Sequence, residues 1–522
     1  MRSNFVRNLV PAAVLLTGVA AIAVAQSPSA PVAQNAVAPA QAIVPPGGAP
    51  RSFADLTAKL APAVVNVSTT QKVEIGRMRR MPGMQGNPLE EFFKRFQEQQ
   101  DGGEPVTREA TSLGSGFIIA ADGYIVTNNH VISAGEGRNQ PVESITVTLA
   151  DRREFKARVV GRDTLTDLAL LKIEATGLPF VQFGNSQATR VGDWSIAIGN
   201  PFGLGGTVTA GIISALHRDI GSGQYDRYIQ TDASINQGNS GGPLFDLDGN
   251  VIGINTAIFS PTGGNVGLGF AIPAELAKPV VDQLKTTGTV KRGYLGVAIQ
   301  RLTSDIAAGL GLPKDKGEIV ATVEAGGPAA RAGIRQGDVI LSVGGREVDW
   351  DNSLSYLIAT TPIGTTVPVE LVRDGKRLKV NATVTQRPSE AIVAQRAGVA
   401  GDDEDDTPAD DNGKTPGIEA ARASLGITLQ PLTAQLRQQL RIDDKVQGVV
   451  IAGISPSSDA ATKGLQRGDI IVKIGQKPVT NPAEAAAAVD AERKAGRDTV
   501  LMLVQRGNTP ARYTGVKLIP AK

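Results

Sequence analysis

The chain has 522 residues, with 53 Lys and Arg against 51 Asp and Glu, a net charge of +2 and no cysteine. That length makes several domains, each long enough to bury its own core. The balanced charge carries no dense basic stripe for nucleic acid, the lack of cysteine excludes disulfides and thiolate metal sites, and two histidines do not furnish a multi-histidine metal centre.

The N-terminus reads as an export signal. Arg2 and Arg7 supply the positive region, Leu9 to Val24 the apolar core, and "AVAQS" a small-x-small cleavage site after Ala25. An uncleaved anchor is the rival reading, but the segment is short for a span and holds Pro11 and Gly18. Residues 26–50, rich in Ala, Pro and Gln, read as a flexible leader. Export without cysteine fits a bacterial periplasm.

From 51 to 289 the pattern is strand-like. "AVVNVST", "GSGFIIA", "SITVTLA", "LALLKI", "WSIAIG" and "GNVIGINTAIF" are short, β-branched runs separated by Gly, Asn and Asp. Such spacing predicts an all-β barrel or sandwich. An insertion over 76–108 interrupts it, with "LEEFFKRF" at its centre. Two readings stand: a short amphipathic helix packed on its own protein, or an arm reaching another subunit.

The C-terminal half repeats itself. "GPAARAGIRQGDVILSVGGREV" returns as "DAATKGLQRGDIIVKIGQKPV", so that Gly333, Gly337 and Asp338 recur as Gly464, Gly468 and Asp469. Upstream, Tyr294-Leu295-Gly296-Val297 is echoed by Ser424-Leu425-Gly426-Ile427 at nearly the same offset. A whole domain is therefore duplicated. The copies are assigned to 290–388 and 419–522, with an acidic linker over 389–418.

The candidate chemistry is acyl transfer, which needs a nucleophile, a base and a carboxylate to orient the base. Ser240, in the glycine-rich turn "QGNSGGPLFD", is the candidate nucleophile. His130 in "VTNNHVI" follows a strand and is the candidate base; Asp167 in "TDLALLKI" precedes one and is the candidate orienting group. Each alone has an ordinary structural reading as a strand-end or turn residue. Together they stand in the order His, Asp, Ser, which chymotrypsin-like enzymes also use. His217, in "ALHRDIG", lacks such a setting and is read as non-catalytic.

"TNNHV", "TDLALLKI" and "GNSGGPL" resemble the three catalytic motifs of the HtrA/Deg (Do-type) periplasmic serine proteases. The resemblance runs from about Ser52 to the C-terminus, and the two repeats look like PDZ domains. It implies a trypsin-like double β-barrel, a triad of His130, Asp167 and Ser240, and oxyanion donors at the backbone N–H groups of Gly238 and Ser240. It also implies trimers that build larger assemblies, and chaperone activity in some members. Trypsin-type enzymes place an acid six residues before the serine; Ser234 stands there, followed by Ile235, so the substrate pocket should favour small aliphatic side chains. Asn239 replaces the Asp that pairs with a cut N-terminus in digestive enzymes, so loop rearrangement should activate the site instead.

The two LG-containing loops are expected to offer N–H groups to a peptide's C-terminal carboxylate, with the adjoining strand edge taking the peptide as an extra strand. Apolar C-termini are the expected ligands of the first copy. Ser424 replaces an aromatic in the second, which therefore binds differently or serves assembly. Arg218, in the segment leading to Ser240, is the expected holder of an ordered activation loop. The reading is an endopeptidase of unfolded or damaged proteins, without cofactor. A holdase with secondary proteolysis and a membrane-anchored regulatory protease remain as alternatives.

Overall fold

The computed structural model describes residues 50–73, 108–134, 140–201, 206–236, 238–258, 265–389, 392 and 424–520. The expected signal and almost all of the leader, the insertion (except Arg108) and most of the acidic linker lie outside them. The fold is mainly β: a double barrel followed by two PDZ domains.

The first barrel is made of β1 (Val64–Val73), β2 (Arg108–Ala120), β3 (Tyr124–Asn128), β4 (Ser144–Thr148), β5 (Glu154–Asp163) and β6 (Leu168–Ile173), closed in the order β1-β2-β3-β6-β5-β4. Alternation builds its interior: Val65 and Val67, Ile145 and Val147, and Ala169, Leu171 and Ile173 enter one cluster. Each such Val, Ile or Leu contributes roughly 1.5–3 kcal/mol when fully buried.

The second barrel has β7 (Trp194–Gly199), β8 (Thr207–Arg218), β9 (Tyr228–Thr231), β10 (Pro243–Phe245), β11 (Val251–Ile258) and β12 (Gly269–Pro273), closed as β8-β9-β12-β11-β10-β7. Ala197, Ile213, Ile229, Leu244, Ile252 and Ala271 fill it. The strand-like pattern expected through residue 289 does not hold to its end. A helix, α1 (Ala274–Thr287), closes the domain, burying Ala277, Val280, Val281 and Leu284. Their spacing of three, one and three is one face of a helix.

In the first repeat, β13 (Val297–Arg301), β14 (Glu318–Val323), β15 (Val339–Val343), β16 (Thr366–Arg373) and β17 (Lys376–Thr383) lie in that order, leaving β13 as an edge. The second repeats this with β18 (Ile427–Pro431), β19 (Val449–Ile454), β20 (Ile470–Ile474), β21 (Thr499–Gln505) and β22 (Arg512–Lys517). The duplicated Gly-Asp has a structural purpose in both copies. Asp338 takes two bonds from Arg373 (2.7 and 2.6 Å), and Asp469 takes two from Arg506 (2.7 and 2.9 Å), each carboxylate being buried. A buried charge needs such a partner.

The two repeats also share a core. Leu302, Ile306, Ala307, Ile319, Val339 and Val372 of the first meet Leu501, Leu503 and Tyr513 of the second. The Gln300 side chain donates to the Tyr513 carbonyl (2.7 Å) and accepts from its N–H (2.8 Å).

Candidate active site

Strand register brings the first two candidates together. β3 and β6 are antiparallel, with Asn128 opposite Leu168, so the residues just beyond that pair, His130 and Asp167, become neighbours. Asp167 sits in a turn with φ of 55°, left-handed backbone that a non-glycine residue adopts at a cost of about 1–3 kcal/mol. The cost is offset by bonds at every acceptor. Its carbonyl accepts from the Asn129 N–H (3.0 Å) and the Asn128 side-chain amide (2.9 Å). Its Oδ1 accepts from the His130 N–H (2.9 Å), and its Oδ2 lies 2.5 Å from His130 Nδ1. Asp163 supports the turn by accepting from the Thr166 N–H (3.1 Å) and hydroxyl.

Two contributors were not foreseen from the sequence. Thr256, buried on β11 of the second barrel, donates its hydroxyl to Asp167 Oδ2 (3.0 Å). Ser115, buried on β2 of the first barrel, donates its hydroxyl to the Gly238 carbonyl and accepts from the Asn200 N–H (2.8 Å). Each joins one barrel to the other at the site.

Ser240 is half-buried in the turn before β10. Its carbonyl accepts from the Ser115 N–H (2.8 Å), the Gly241 N–H donates to the Asn255 carbonyl (2.8 Å), and the Asn255 N–H returns to the Gly242 carbonyl (2.9 Å). Gly241 has φ of 83°, and a side chain there would overlap the Ser115 carbonyl and Thr127 Oγ1. Only glycine fits, both for its conformation and for its close approach. The turn is thereby pressed against the end of β3, two residues before His130. Gly238 has φ of 97°, and the N–H of the intervening Asn239 is turned back to the Asn236 carbonyl (3.0 Å).

Of the pocket candidates, Ser234 is half-buried, its carbonyl accepting from Thr209 Oγ1 (2.9 Å) and from the Asn239 side chain (3.4 Å). Ile235 is buried in the second-barrel core, and its carbonyl accepts from the Asn265 amide (3.0 Å). The neighbouring carboxylate, Asp232, is exposed and accepts from the Ile212 N–H (2.7 Å).

Arg218 reaches across to β9, donating to Gln230 Oε1 (3.1 Å). Its neighbours face the first PDZ domain instead: His217 Nδ1 lies 3.0 Å from Asp351, and Asp219 pairs with Arg301 at 2.5 Å. In the first candidate peptide loop, Leu295 is buried, Gly296 has φ of 75° and β13 begins at Val297. The Leu295 carbonyl accepts from the Ala329 N–H (2.8 Å) and the Gly296 carbonyl from the Glu324 N–H (2.9 Å). Tyr294 lies in a short strand pair with Thr385. In the second loop Gly426 has φ of 71°, its carbonyl accepts from the Ser455 N–H (2.7 Å), and Ser424, Leu425 and Ile427 are buried.

A double β-barrel with a carboxylate–imidazole pair and a glycine-bound serine turn between the barrels defines a trypsin-like serine endopeptidase. Residues 114–254 match the trypsin-like peptidase domain model, and 293–384 and 417–505 each match a PDZ domain model. The protein is 41% identical over 500 residues to a "Probable periplasmic serine endoprotease DegP-like" of Brucella suis, covering 91% of each chain. It is 40% identical over 516 residues to the protein of the same name from Rhizobium meliloti, covering 94% of this chain and 96% of that one. Among solved structures, the HtrA-type protease AlgW with a decapeptide aligns with a TM-score of 0.51 and 41% identity, over 65% of this chain and 99% of that chain. The chain belongs to the HtrA/DegP-like family of periplasmic serine endoproteases.

Proposed function

We propose that this endopeptidase degrades unfolded or damaged proteins in the periplasm, without ATP, through an acyl-enzyme formed on Ser240. The observation that carries the reading is the His130 Nδ1–Asp167 Oδ2 contact of 2.5 Å. With Nδ1 committed to the carboxylate, Nε2 is the nitrogen that accepts the Ser240 proton as Oγ attacks the scissile carbonyl. The N–H groups of Gly238 and Ser240 stabilise the oxyanion. Collapse of the tetrahedral intermediate breaks the C–N bond, and His130 returns the proton to the departing amine. Water, deprotonated by His130, then attacks the ester and restores Ser240.

The periplasmic setting is supported by the N-terminal export pattern and by the names of the relatives. Peptide docking at the Tyr294–Val297 loop of the first PDZ domain is supported by its glycine turn beside the free edge of β13, and a solved relative carries a decapeptide. In this reading, chaperone activity and assembly as trimers accompany proteolysis, as the family resemblance implies.

Digestion of casein by the mature chain, beside Ser240→Ala, tests the mechanism. The variant should lose hydrolysis by several orders of magnitude. Digestion retained by Ser240→Ala overturns the assignment. Mass spectrometry of the same digest reads the pocket: cuts should follow Val, Ala or Ile, because Ser234 and Ile235 offer no charge to Lys or Arg.

A further inference from the structure

The two candidate peptide loops share one backbone arrangement and differ in charge. The Gly296 carbonyl accepts from the Glu324 N–H (2.9 Å), and the Gly426 carbonyl accepts from the Ser455 N–H (2.7 Å). Glu324 and Ser455 each close the following turn as well, their carbonyls accepting from the Gly327 and Ser458 N–H groups (3.0 Å in both). Gly296 and Gly426 have φ of 75° and 71°. Apolar residues flank both, Leu295 and Val297 in one loop and Leu425 and Ile427 in the other. Glu324 and Ser455 are thus equivalent positions of the duplicated domain.

Their side chains meet the loops differently. Glu324 is half-buried with its carboxylate against the first loop: a methyl group placed on Gly296 would lie 3.1 Å from Glu324 Oε2, and one on Gly327 3.3 Å. At Gly426 such a methyl group would instead meet Ser458 Cβ (2.6 Å) and Ser455 Cβ (3.5 Å), and neither side chain carries charge. The Ser458 hydroxyl is used locally, donating to the Ser455 carbonyl (2.7 Å) and accepting from the Ala461 N–H (3.2 Å). A terminal carboxylate seated on the N–H groups of the first loop comes within a Debye length, about 8–10 Å, of the Glu324 charge, where like charges still repel. Arg331, which donates to the Gly326 carbonyl on the same turn (2.5 Å), is the opposing charge.

We propose that Glu324 discriminates between the two PDZ domains, so that the second, with Ser455 at that position, is the stronger site for peptides ending in an apolar residue with a free carboxylate. The proposal rests on docking of terminal carboxylates at the Tyr294–Val297 loop and extends it to Ser424–Ile427. The first domain still takes such peptides, more weakly, because one of its own charges is set against the ligand.

A peptide ending in Val with a free carboxylate, and its amidated twin, are titrated into the full mature chain carrying Ser240→Ala, with amide hydrogen exchange reading each loop separately. The free-acid peptide should protect 424–431 at a concentration about three- to tenfold lower than 294–301, the scale of a like-charge contact across solvent. Glu324→Gln keeps the shape of the side chain and removes its charge. It should tighten free-acid binding at the first loop by that factor and leave the second loop unchanged. Ser455→Glu should weaken the second loop alone. In the parent, binding at the first loop should tighten as ionic strength rises, since screening relieves the repulsion. First-loop binding unmoved by Glu324→Gln, an equal gain by the amidated twin, or weaker first-loop binding in high salt overturns the proposal while the docking reading stands. Failure of the free-acid peptide to protect either loop overturns the docking reading and the proposal with it.

Discussion

Thr256 and His130, from opposite barrels, meet at one oxygen atom: Asp167 Oδ2 lies 3.0 Å from the Thr256 hydroxyl and 2.5 Å from His130 Nδ1. The carboxylate that orients the imidazole is itself oriented by the second barrel. A hydrogen bond to a charged acceptor contributes about 1.5–3 kcal/mol.

Thr256→Val keeps the shape of the side chain and removes the donor. The expected result is a fall of about tenfold in kcat, with KM for a short peptide unchanged, because on the proposed mechanism the bond serves the imidazolium formed in the transition state. Steady-state kinetics check it. Equal kcat in the variant would show that the two bonds from His130 to the Asp167 carboxylate suffice.

Ser115→Ala removes both the donor to the Gly238 carbonyl and the acceptor of the Asn200 N–H. Leaving a buried backbone group such as the Asn200 N–H without a partner costs about 1–3 kcal/mol. The melting midpoint should therefore fall. The kcat of the remaining folded protein should fall with it, since the Gly238 peptide plane loses its anchor. A lower midpoint with full kcat would separate barrel cohesion from the oxyanion turn.

The reach of the sequence differs sharply between these residues. His130, Asp167 and Ser240 are visible because local chemistry marks them: a strand end, a turn before a strand, a serine among glycines. Thr256 and Ser115 carry no such mark. Both are small polar residues inside strands, and their roles come from barrel register between segments far apart in the chain. The closing helix, α1, was legible in the spacing of Ala277, Val280, Val281 and Leu284, but its β-branched valines resemble the strands before it. The shared core of the repeats left one trace. "TVLMLV" in β21 is apolar at successive positions and buried on both faces, as a strand covered from two sides must be.

Glu318 gives the protein a pH-dependent cost. Burial pushes its carboxyl above the ordinary value of 4.5, partly countered by the Leu354 N–H (3.1 Å) and by Arg301. The folded chain thus holds this proton to higher pH than the unfolded chain does. Stability from this group is complete below the unfolded value and is lost as pH rises through the folded one. Glu318→Gln keeps an acceptor for Leu354 and removes the charge. Its melting midpoint should exceed that of the parent at pH 7, and the difference should shrink as pH approaches 4. Midpoints across that range check it; a difference that is constant with pH would assign the effect to packing.

The first PDZ domain supplies the last prediction. On the proposed docking mode, in which the N–H groups around Gly296 bind a terminal carboxylate and β13 pairs with the peptide backbone, a peptide with an apolar C-terminal residue and a free carboxylate should speed hydrolysis of a separate reporter. Its amidated twin should not. Stimulation should saturate, since a ligand shifts an equilibrium only by its differential affinity for the two states. Arg218 bonds Gln230, ten residues before Ser240, and so lies between the docking contacts and the serine turn. Arg218→Ala should bind the peptide as the parent does, by fluorescence anisotropy, yet respond weakly in the reporter assay. Full stimulation of that variant would leave Arg218 as a surface bond only.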